Sequence, residues 1–339
     1  MSLTNFSAIE LNQLPTPSLV ESLSFDAISS AILADYKTRF PDAQLNFASD
    51  PVIKLIECFA YRELLVRARI NEGAEAVLLA KATRTELDYL GQRFGVKRAV
   101  REGFAQVNNV NNVASDDPSA FESDERFRTR IKLALEGFST AGPVGAYAFH
   151  SYKASSHIKD VFIEAPEFVM QAPPSAMTEQ LPSGTMLLKN TYSADLTTPM
   201  PGDVAITLLS DEGNGTPSSA VLQAVEQHLN QDDIRPLTDR VNLLTPHIFD
   251  FEVKAKLHLY PGLNADEICA ESQAACQTWL NTHHKLGHDI SLSGLYAVLH
   301  SAGVQRVELI SPTADIVVAQ NQAAYCTQLT VSVEAQRNV

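Results

Sequence analysis

The sequence predicts an α+β fold in which an N-terminal helical-bundle segment precedes two tandem α+β modules. Three observations carry that reading. The stretch from Val52 to Lys81 holds no proline and a single glycine, Gly73, so one helix can run through it. Beyond residue 102 short Val/Ile-rich runs alternate with helical spacing, and the order strand–helix–helix–strand–strand occurs twice. The composition is that of an ordinary globular chain, 45% hydrophobic and 19% charged over 339 residues, enough to bury a core without metal or disulfide staples. At about 150 residues per domain the length suits two or three domains. We divide it into an arm and long-helix bundle region (1–102), a first module (103–246) and a C-terminal module (247–339).

Pro15 and Pro17 among polar residues make residues 1–22 an extended arm. Ser24 is placed to cap a helix over 25–40, which Phe40 and Pro41 close. Ser49-Asp50-Pro51 reads as an N-cap followed by proline in the first turn, opening a helix over 52–81. That helix would be about 45 Å long, well beyond the usual three to four turns. Its apolar stripe runs through Val52, Ile56, Phe59, Ala60, Leu64, Ala68, Ala74, Val77 and Leu78, and Glu57, Arg62, Glu63, Arg67, Arg69, Glu72 and Glu75 occupy its other faces. Because it outruns the needs of a compact domain, part of the stripe is expected to bury against other chains. A helix over 85–94 ends at Gly95.

The first module reads as a strand at 104–113, helices at 124–137 and 143–155, strands at 158–164 and 203–210, a helix at 217–230 and a strand at 240–245. The second reads as a strand at 248–260, helices at 265–283 and 291–302, and strands at 304–310 and 325–333. Gly145-Ala146-Tyr147-Ala148 parallels Gly294-Leu295-Tyr296-Ala297, each ahead of a Val/Ile-rich strand. Chance likeness of short α+β units is the alternative to a true repeat. Residues 166–201 hold six of the 17 prolines, which suits a binding excursion or a mobile loop.

Charge and chemistry narrow the function. The net charge is −14 and the pI about 5.1, against a protein that coats nucleic acid. Residues 1–110 carry 12 basic and 13 acidic groups and the rest 14 and 27, so the excess sits in the last two thirds. Residues 81–101 reverse this locally, with Lys81, Arg84, Arg93, Lys97, Arg98 and Arg101 against Glu86 and Asp88. Such a patch is either a solvated face or a seat for an acidic protein neighbour. The first 30 residues lack a secretory pattern, and no apolar run is long enough to cross a membrane. Cys58, Cys269, Cys276 and Cys326 show no metal or redox spacing and read as reduced, mostly buried small hydrophobes. These features place folding in a reducing cytoplasm.

No catalytic set emerges. His284 and His288 are four apart, but Gly287 ends the helix between them, so one face would not present both imidazoles to a metal. Gly213-Asn214-Gly215 lacks the third glycine of a dinucleotide loop, and Asp211 and Glu212 would repel a phosphate. Neither G-x-S-x-G nor H-E-x-x-H occurs. The sequence therefore predicts no catalytic, cofactor-binding or metal residues, although a site assembled in space stays open.

Several phrases in order resemble the baseplate J-like family, wedge proteins of contractile phage tails. They are Asp50-Pro51 with Leu55-Ile56-Glu57, Ala60-Tyr61-Arg62-Glu63-Leu64-Leu65 and Arg69-Ile70-Asn71; Glu86-Leu87-Asp88 with Leu90-Gly91, Phe94-Gly95-Val96 and Arg98; and Asp124-Glu125-Arg126-Phe127-Arg128 with Ser139-Thr140-Ala141-Gly142-Pro143. Gly213-Asn214-Gly215-Thr216-Pro217, Arg235-Pro236-Leu237-Thr238-Asp239-Arg240-Val241 and Gly303-Val304-Gln305-Arg306-Val307 complete the set. Most similar are the short J proteins of simple tails.

The resemblance implies two copies with one different wedge protein in a unit repeated six times around a hub and spike. It further implies N-terminal helices that bundle with those of the different wedge partner and near a sheath-initiator protein, and C-terminal modules that pair into a ring able to change diameter when the sheath is triggered. It places the chain in the host bacterial cytoplasm during assembly and then in the tail baseplate of a virion or tail-like particle, with no nucleic acid bound and no membrane insertion. Partner-interface candidates are Glu57, Phe59, Tyr61, Arg62, Leu64, Leu65 and Arg69, with Arg235 and Asp239. Arg235 could pair across an interface or within the chain, and Asp239 could bond to amides of its own turn. Residues 166–201 exceed the family's usual short connection by about 30 residues. They are expected to project toward a peripheral plate or fibre component, and removing about 168–199 is expected to leave a folded protein. A hydrolytic or lytic tail-associated enzyme is the alternative function, and an adaptor outside any tail is a third.

Overall fold

The computed structural model describes residues 21–42, 47, 49–101, 118–138, 142–172, 182 and 185–334. The strand expected at 104–113 lies outside them. Mixed α and β elements divide into two compact units, which take the described residues within 21–100 and 118–131, and those within 101 and 132–334.

The first unit opens with α1 (Phe25–Arg39) and α2 (Pro51–Ala76). Ser24 Oγ accepts the Ala27 amide, and Asp50 Oδ1 accepts that of Val52, so each helix starts on the cap its sequence announces. The two helices pack as an antiparallel hairpin with Ile28, Ile56 and Ala60 buried. Buried Asn71 sets the register by accepting Glu21 N (2.9 Å) and donating to Glu21 O (2.8 Å), and Arg67 pairs with Glu21 at 2.9 Å.

α2 stops at Ala76, short of the expected Lys81. The Leu78 amide tightens onto Glu75 O, and the Arg128 guanidinium takes Leu79 O (2.7 Å) and Ala82 O (2.8 Å). Carbonyls at and just beyond the expected helix end are thus held by another segment. The helix is 26 residues long, about 39 Å.

α3 (Arg84–Arg93) and α4 (Asp124–Lys132) meet where Gly91 lets the Phe127 ring come close; a Cβ there would sit 2.5 Å from the ring. Around this contact lies a buried ionic knot. Arg98 reaches Asp88 at 2.6 Å, Asp124 at 2.7 Å and Glu122 O at 2.9 Å, and its guanidinium stands 4.7 Å from the Phe127 centroid. Glu122 accepts the Ala99 amide and both Arg126 and Arg130, and Asp124 caps the first amide of α3.

The second unit contains two three-stranded sheets with their helices, whereas α4, read from sequence as part of the first module, packs in the first unit. β1 (Ile158–Glu164), β4 (Asp203–Ser210) and β5 (Arg240–Leu244) form a sheet in the order β1-β4-β5, antiparallel then parallel. α5 (Val144–Ala154) and α6 (Ser219–Leu229) pack Tyr147, Tyr152, Val221, Val225 and Leu229 against Ile158, Ile163, Ile206 and Leu208. β6 (His247–Leu259), α7 (Ala265–His283), α8 (Leu292–Leu299), β7 (Val304–Ser311) and β8 (Gln322–Glu334) build the other module. Its sheet has the order β7-β6-β8 over a core that includes Val253, Leu257, Cys276, Leu295 and Val331.

The two modules share a helix that feeds an antiparallel edge strand, α5 into β1 and α8 into β7, and a centre strand with one antiparallel and one parallel neighbour. They differ in that the centre strand follows the edge strand in the first and precedes it in the second. A small cluster of Phe162, Leu209, Leu286 and Ala323 joins them. Half-buried Asp160 accepts the amides of Leu286 (3.0 Å) and Val161 (2.9 Å) there, and desolvation of its carboxyl group raises the pKa.

The proline-rich connection contains a hairpin that sequence reading did not place, β2 (Glu167–Gln171) with β3 (Leu187–Tyr192), paired with each other alone among the described residues. Val169, Met170, Met186 and Leu188 are exposed on it. Its return is anchored. Ala194 is buried, Ala194 and Asp195 have φ of 50° and 61°, and Asp195 holds His247 (2.8 Å) and Asn321 (2.9 Å), at the starts of β6 and β8.

The excision expected from sequence, 168–199, would remove this anchor as well as the hairpin. Replacing 168–190 by a short Gly-Ser link should leave Tm within about 2 °C, because the described residues removed are exposed or half-buried and their strands pair only with each other. Extending the cut through Leu196 should lower Tm by roughly 5 °C or more, since a buried residue and two hydrogen bonds are lost. Thermal denaturation of the two deletions checks this.

Candidate assembly interface

The outward face of α2 is the outstanding surface of the first unit. A helix turns about 100° per residue, so residues three, four, seven and eleven apart share a face. Leu55, Phe59, Val66, Ile70 and Val77 line one such face and are 55%, 57%, 59%, 52% and 64% exposed. The side about 100° round from it, with Ile56, Ala60 and Asn71, is spent on α1 and its approach. The helix therefore has two apolar sides and covers one.

The nine candidate residues do not fall together. Phe59, Tyr61, Arg62, Leu65 and Arg69 are exposed on α2. Glu57 and Leu64 are half-buried, and Glu57 is held by Lys54 at 2.9 Å. Leu55, Val66 and Ile70 were missed because the stripe read from sequence merged the inward residues Ile56 and Ala60 with the outward ones Phe59 and Val77. The signal that would have separated them is the eleven-residue spacing of Leu55, Val66 and Val77, and of Phe59 and Ile70.

Arg235 and Asp239 lie in the other unit, both half-buried. Asp239 accepts the Tyr147 hydroxyl at 2.7 Å, which with burial raises the tyrosine pKa. At Gly142, with φ of 69°, a Cβ would lie 2.8 Å from the same carboxylate and 3.1 Å from Pro236. Gly202 packs with equal closeness on Thr238 O and accepts the Arg240 amide. The Arg-Pro-Leu-Thr-Asp phrase is thus a brace within its own module; Leu237 alone is fully exposed.

The basic stretch is also partly internal, for Arg98 is buried in the knot and Arg101 pairs with Asp211 at 2.6 Å. Cys276 is buried and Cys269 and Cys326 half-buried, but Cys58 is exposed on α2. His283 stacks on Trp279, and His284 points away from it toward Gly215 and Tyr325. Burial, and then the Lys159 ammonium, push His284 down to about 4.

The chain also holds one Ser-x-x-Lys spacing, Ser156 with Lys159, which sequence reading passed over. Ser156 lies in the turn before β1, and Lys159 on the strand donates to Asn281 O at 2.9 Å. That is not the single helical turn the acyl-transfer motif uses. Among the described residues, the group that could hold a metal is His258, Glu308 and Glu334. The Arg306 guanidinium already stands 3.1 Å from His258 and 3.3 Å from Glu308, so a cation occupies that place. A cavity of about 420 Å³ is lined by Leu222, Glu226, residues 241–244 and Asp195–Thr197, with no histidine, cysteine, lysine or serine.

Comparison with known proteins settles the class. Residues 48–103 match the baseplate J-like N-terminal domain, and residues 251–332 match the baseplate J-like protein C-terminal domain. The chain is 36% identical over 330 residues to baseplate protein J of Escherichia phage P2, covering 95% of this chain and 97% of that protein. The chain belongs to the baseplate J-like family. The N-terminal match spans α2, α3 and Arg98, and the C-terminal match runs from β6 into β8. Membership of this family supports a structural baseplate protein.

Two outcomes follow. Arg98→Met should cost about 3–5 kcal/mol by stranding Asp88 and Asp124, seen as lost hydrogen-exchange protection in α3 and α4 with that of β6 unchanged. The His284 imidazole protonates at 6.5 when unfolded and at about 4 when folded. Its neutral form supports the fold fully above pH 6.5, and that support is lost as pH falls toward 4. His284→Gln should flatten the fall of Tm over this window.

Proposed function

We propose that the chain is a wedge subunit of a contractile-tail baseplate. It acts with a second copy of itself and a different wedge protein, in a six-fold ring around the hub and spike and beside the sheath initiator. The observation that supports this best is the uncovered apolar side of α2, which lies inside the segment matched by the family's N-terminal domain. A monomer gains nothing from an exposed Leu-Phe-Val-Ile-Val stripe, whereas a bundle with neighbouring helices buries it.

The hairpin at 167–192 is proposed to contact a peripheral plate or fibre component, its exposed methionines giving an adaptable apolar face. Assembly takes place in the host bacterial cytoplasm, and the mature location is the tail baseplate. Function is then the switching of many moderate inter-chain contacts between two discrete arrangements when the sheath contracts.

Phe59→Glu tests the reading. The ring is exposed, so the isolated chain should keep its stability within about 0.5 kcal/mol while the yield of intact tails, counted by electron microscopy, collapses. Leu64→Glu should depress both, because Leu64 is half-buried. Normal particle yield from Phe59→Glu would overturn the bundle.

A further inference from the structure

The outer edge of β5 is an unused strand edge beside a groove. Among the described residues β5 pairs with β4 alone, in parallel and without a bulge, from Asp203 and Arg240 to Thr207 and Leu244. The Arg240 amide donates to Gly202 O at 2.8 Å. Backbone direction alternates along a strand, so Arg240, Asn242 and Leu244 turn their amides and carbonyls toward β4, while Val241 and Leu243 turn theirs outward. Both residues are half-buried, and no described residue bonds to these four outward groups. Half-buried amides and carbonyls without partners favour a strand that supplies them. β5 also carries neither proline nor lysine, residues that commonly blunt an edge.

The edge opens into the cavity of about 420 Å³, whose other walls are Leu222 and Glu226 of α6 and residues 195–197. Val241 and Leu243 point their side chains into the core shared with α6, and Asn242 turns to the other face, where it holds Asp203 at 3.1 Å. A strand added beside β5 would follow the same pleat and present alternate side chains to α6. There it meets half-buried Leu222 and, one turn on, exposed Glu226, which has no cation beside it among the described residues. Four residues of helix and two of strand advance about 6 Å and about 6.6 Å. The apolar and the acidic side chain of α6 thus face two strand positions separated by one residue.

Charge selects the occupant. Of the two carboxylates on the groove, Asp195 is held by His247 and Asn321, and Glu226 is left for an incoming cation. The modules of this chain are poor donors of such a strand, since residues 111–339 carry 14 basic against 27 acidic groups. A small molecule fits poorly as well, because the open backbone groups lie in a line at strand spacing rather than converging on one point.

We propose that an extended segment of a different, basic chain adds to this sheet as a fourth strand beside β5. Its backbone bonds to Val241 and Leu243, an apolar side chain rests on Leu222, and a Lys or Arg two residues away meets Glu226. The groove lies in the second unit and is independent of what covers α2.

Hydrogen exchange at single-amide resolution, on the free full-length chain and on assembled particles, tests this. In the free chain the Val241 and Leu243 amides should exchange about a hundredfold or more faster than those of Asn242 and Leu244; in particles all four should be slow. A photo-crosslinking amino acid at Thr197, exposed on the groove wall, should join an extended peptide of another protein with an apolar and a basic residue two apart. Glu226→Lys should cut particle yield about tenfold while the free chain keeps its Tm within about 2 °C, and Glu226→Gln should cut yield less. Fast exchange at Val241 and Leu243 in normally assembled particles, or slow exchange already in the free chain, would overturn the fourth strand and leave the wedge reading standing. A crosslink to a second copy of this chain or to a helix, or wild-type yield from Glu226→Lys, would do the same.

Discussion

The arithmetic of α2 governs the N-terminal unit. A 26-residue helix with apolar residues on two sides meets a 15-residue partner that can cover one of them. The Asn71 amide, bonded twice to the Glu21 backbone, fixes which one. Sliding α1 by a residue would leave a buried amide unsatisfied, at about 1–3 kcal/mol, so the inward side is chosen by a polar pin as much as by Ile56 and Ala60. What remains outside is apolar by default. Exposure of this side is thus a property of the hairpin's register rather than an accident of surface composition.

The rest of that unit is held by charge rather than by bulk. Arg98, Asp88, Asp124 and Glu122 exchange ion pairs and backbone bonds in a region where Leu87, Leu90 and Phe127 supply the apolar walls. Hydrophobic replacements of similar shape can match such a knot in stability, but removal of one member strands the others. The knot therefore demands a complete set, and its residues are spread over the Glu86–Asp88, Arg98 and Asp124–Arg128 phrases. Those phrases, far apart in the chain, meet in one buried network, which gives them a structural role.

Much of this was legible in the sequence and some was not, for physical reasons. β1, β4 and α7 fall at their expected limits because each strand is a short, nearly continuous buried apolar run and α7 carries a buried stripe at helical spacing, Ser272, Cys276 and Leu280. The end of α2 was invisible, since nothing local forbids helix beyond Ala76; a guanidinium 46 residues distant takes the Ala82 carbonyl. The β2–β3 hairpin was missed because its strands are five and six residues long, mostly exposed and flanked by prolines. The stripe on α2 was seen but misassigned by face. Alternation of apolar residues shows that a helix is amphipathic, whereas a partner in three dimensions decides which apolar side is inner.

A division of labour between phrase and face runs through the molecule. Arg235-Pro236-Leu237-Thr238-Asp239 was the most distinctive phrase, and it is consumed in bracing Gly142, Tyr147 and Gly202. The Gly213-Asn214-Gly215 loop turns a strand into a helix, with Gly213 and Gly215 at φ of 58° and 98°. Residues with unusual chemistry are turned inward to hold geometry, and the surfaces left for others are ordinary apolar side chains on α2 and on the hairpin. A catalyst requires the reverse, with reactive groups converging on a cavity and scaffold residues outside it. In a baseplate component of the kind proposed above, specificity would lie in spacing and register along a face rather than in reactive groups.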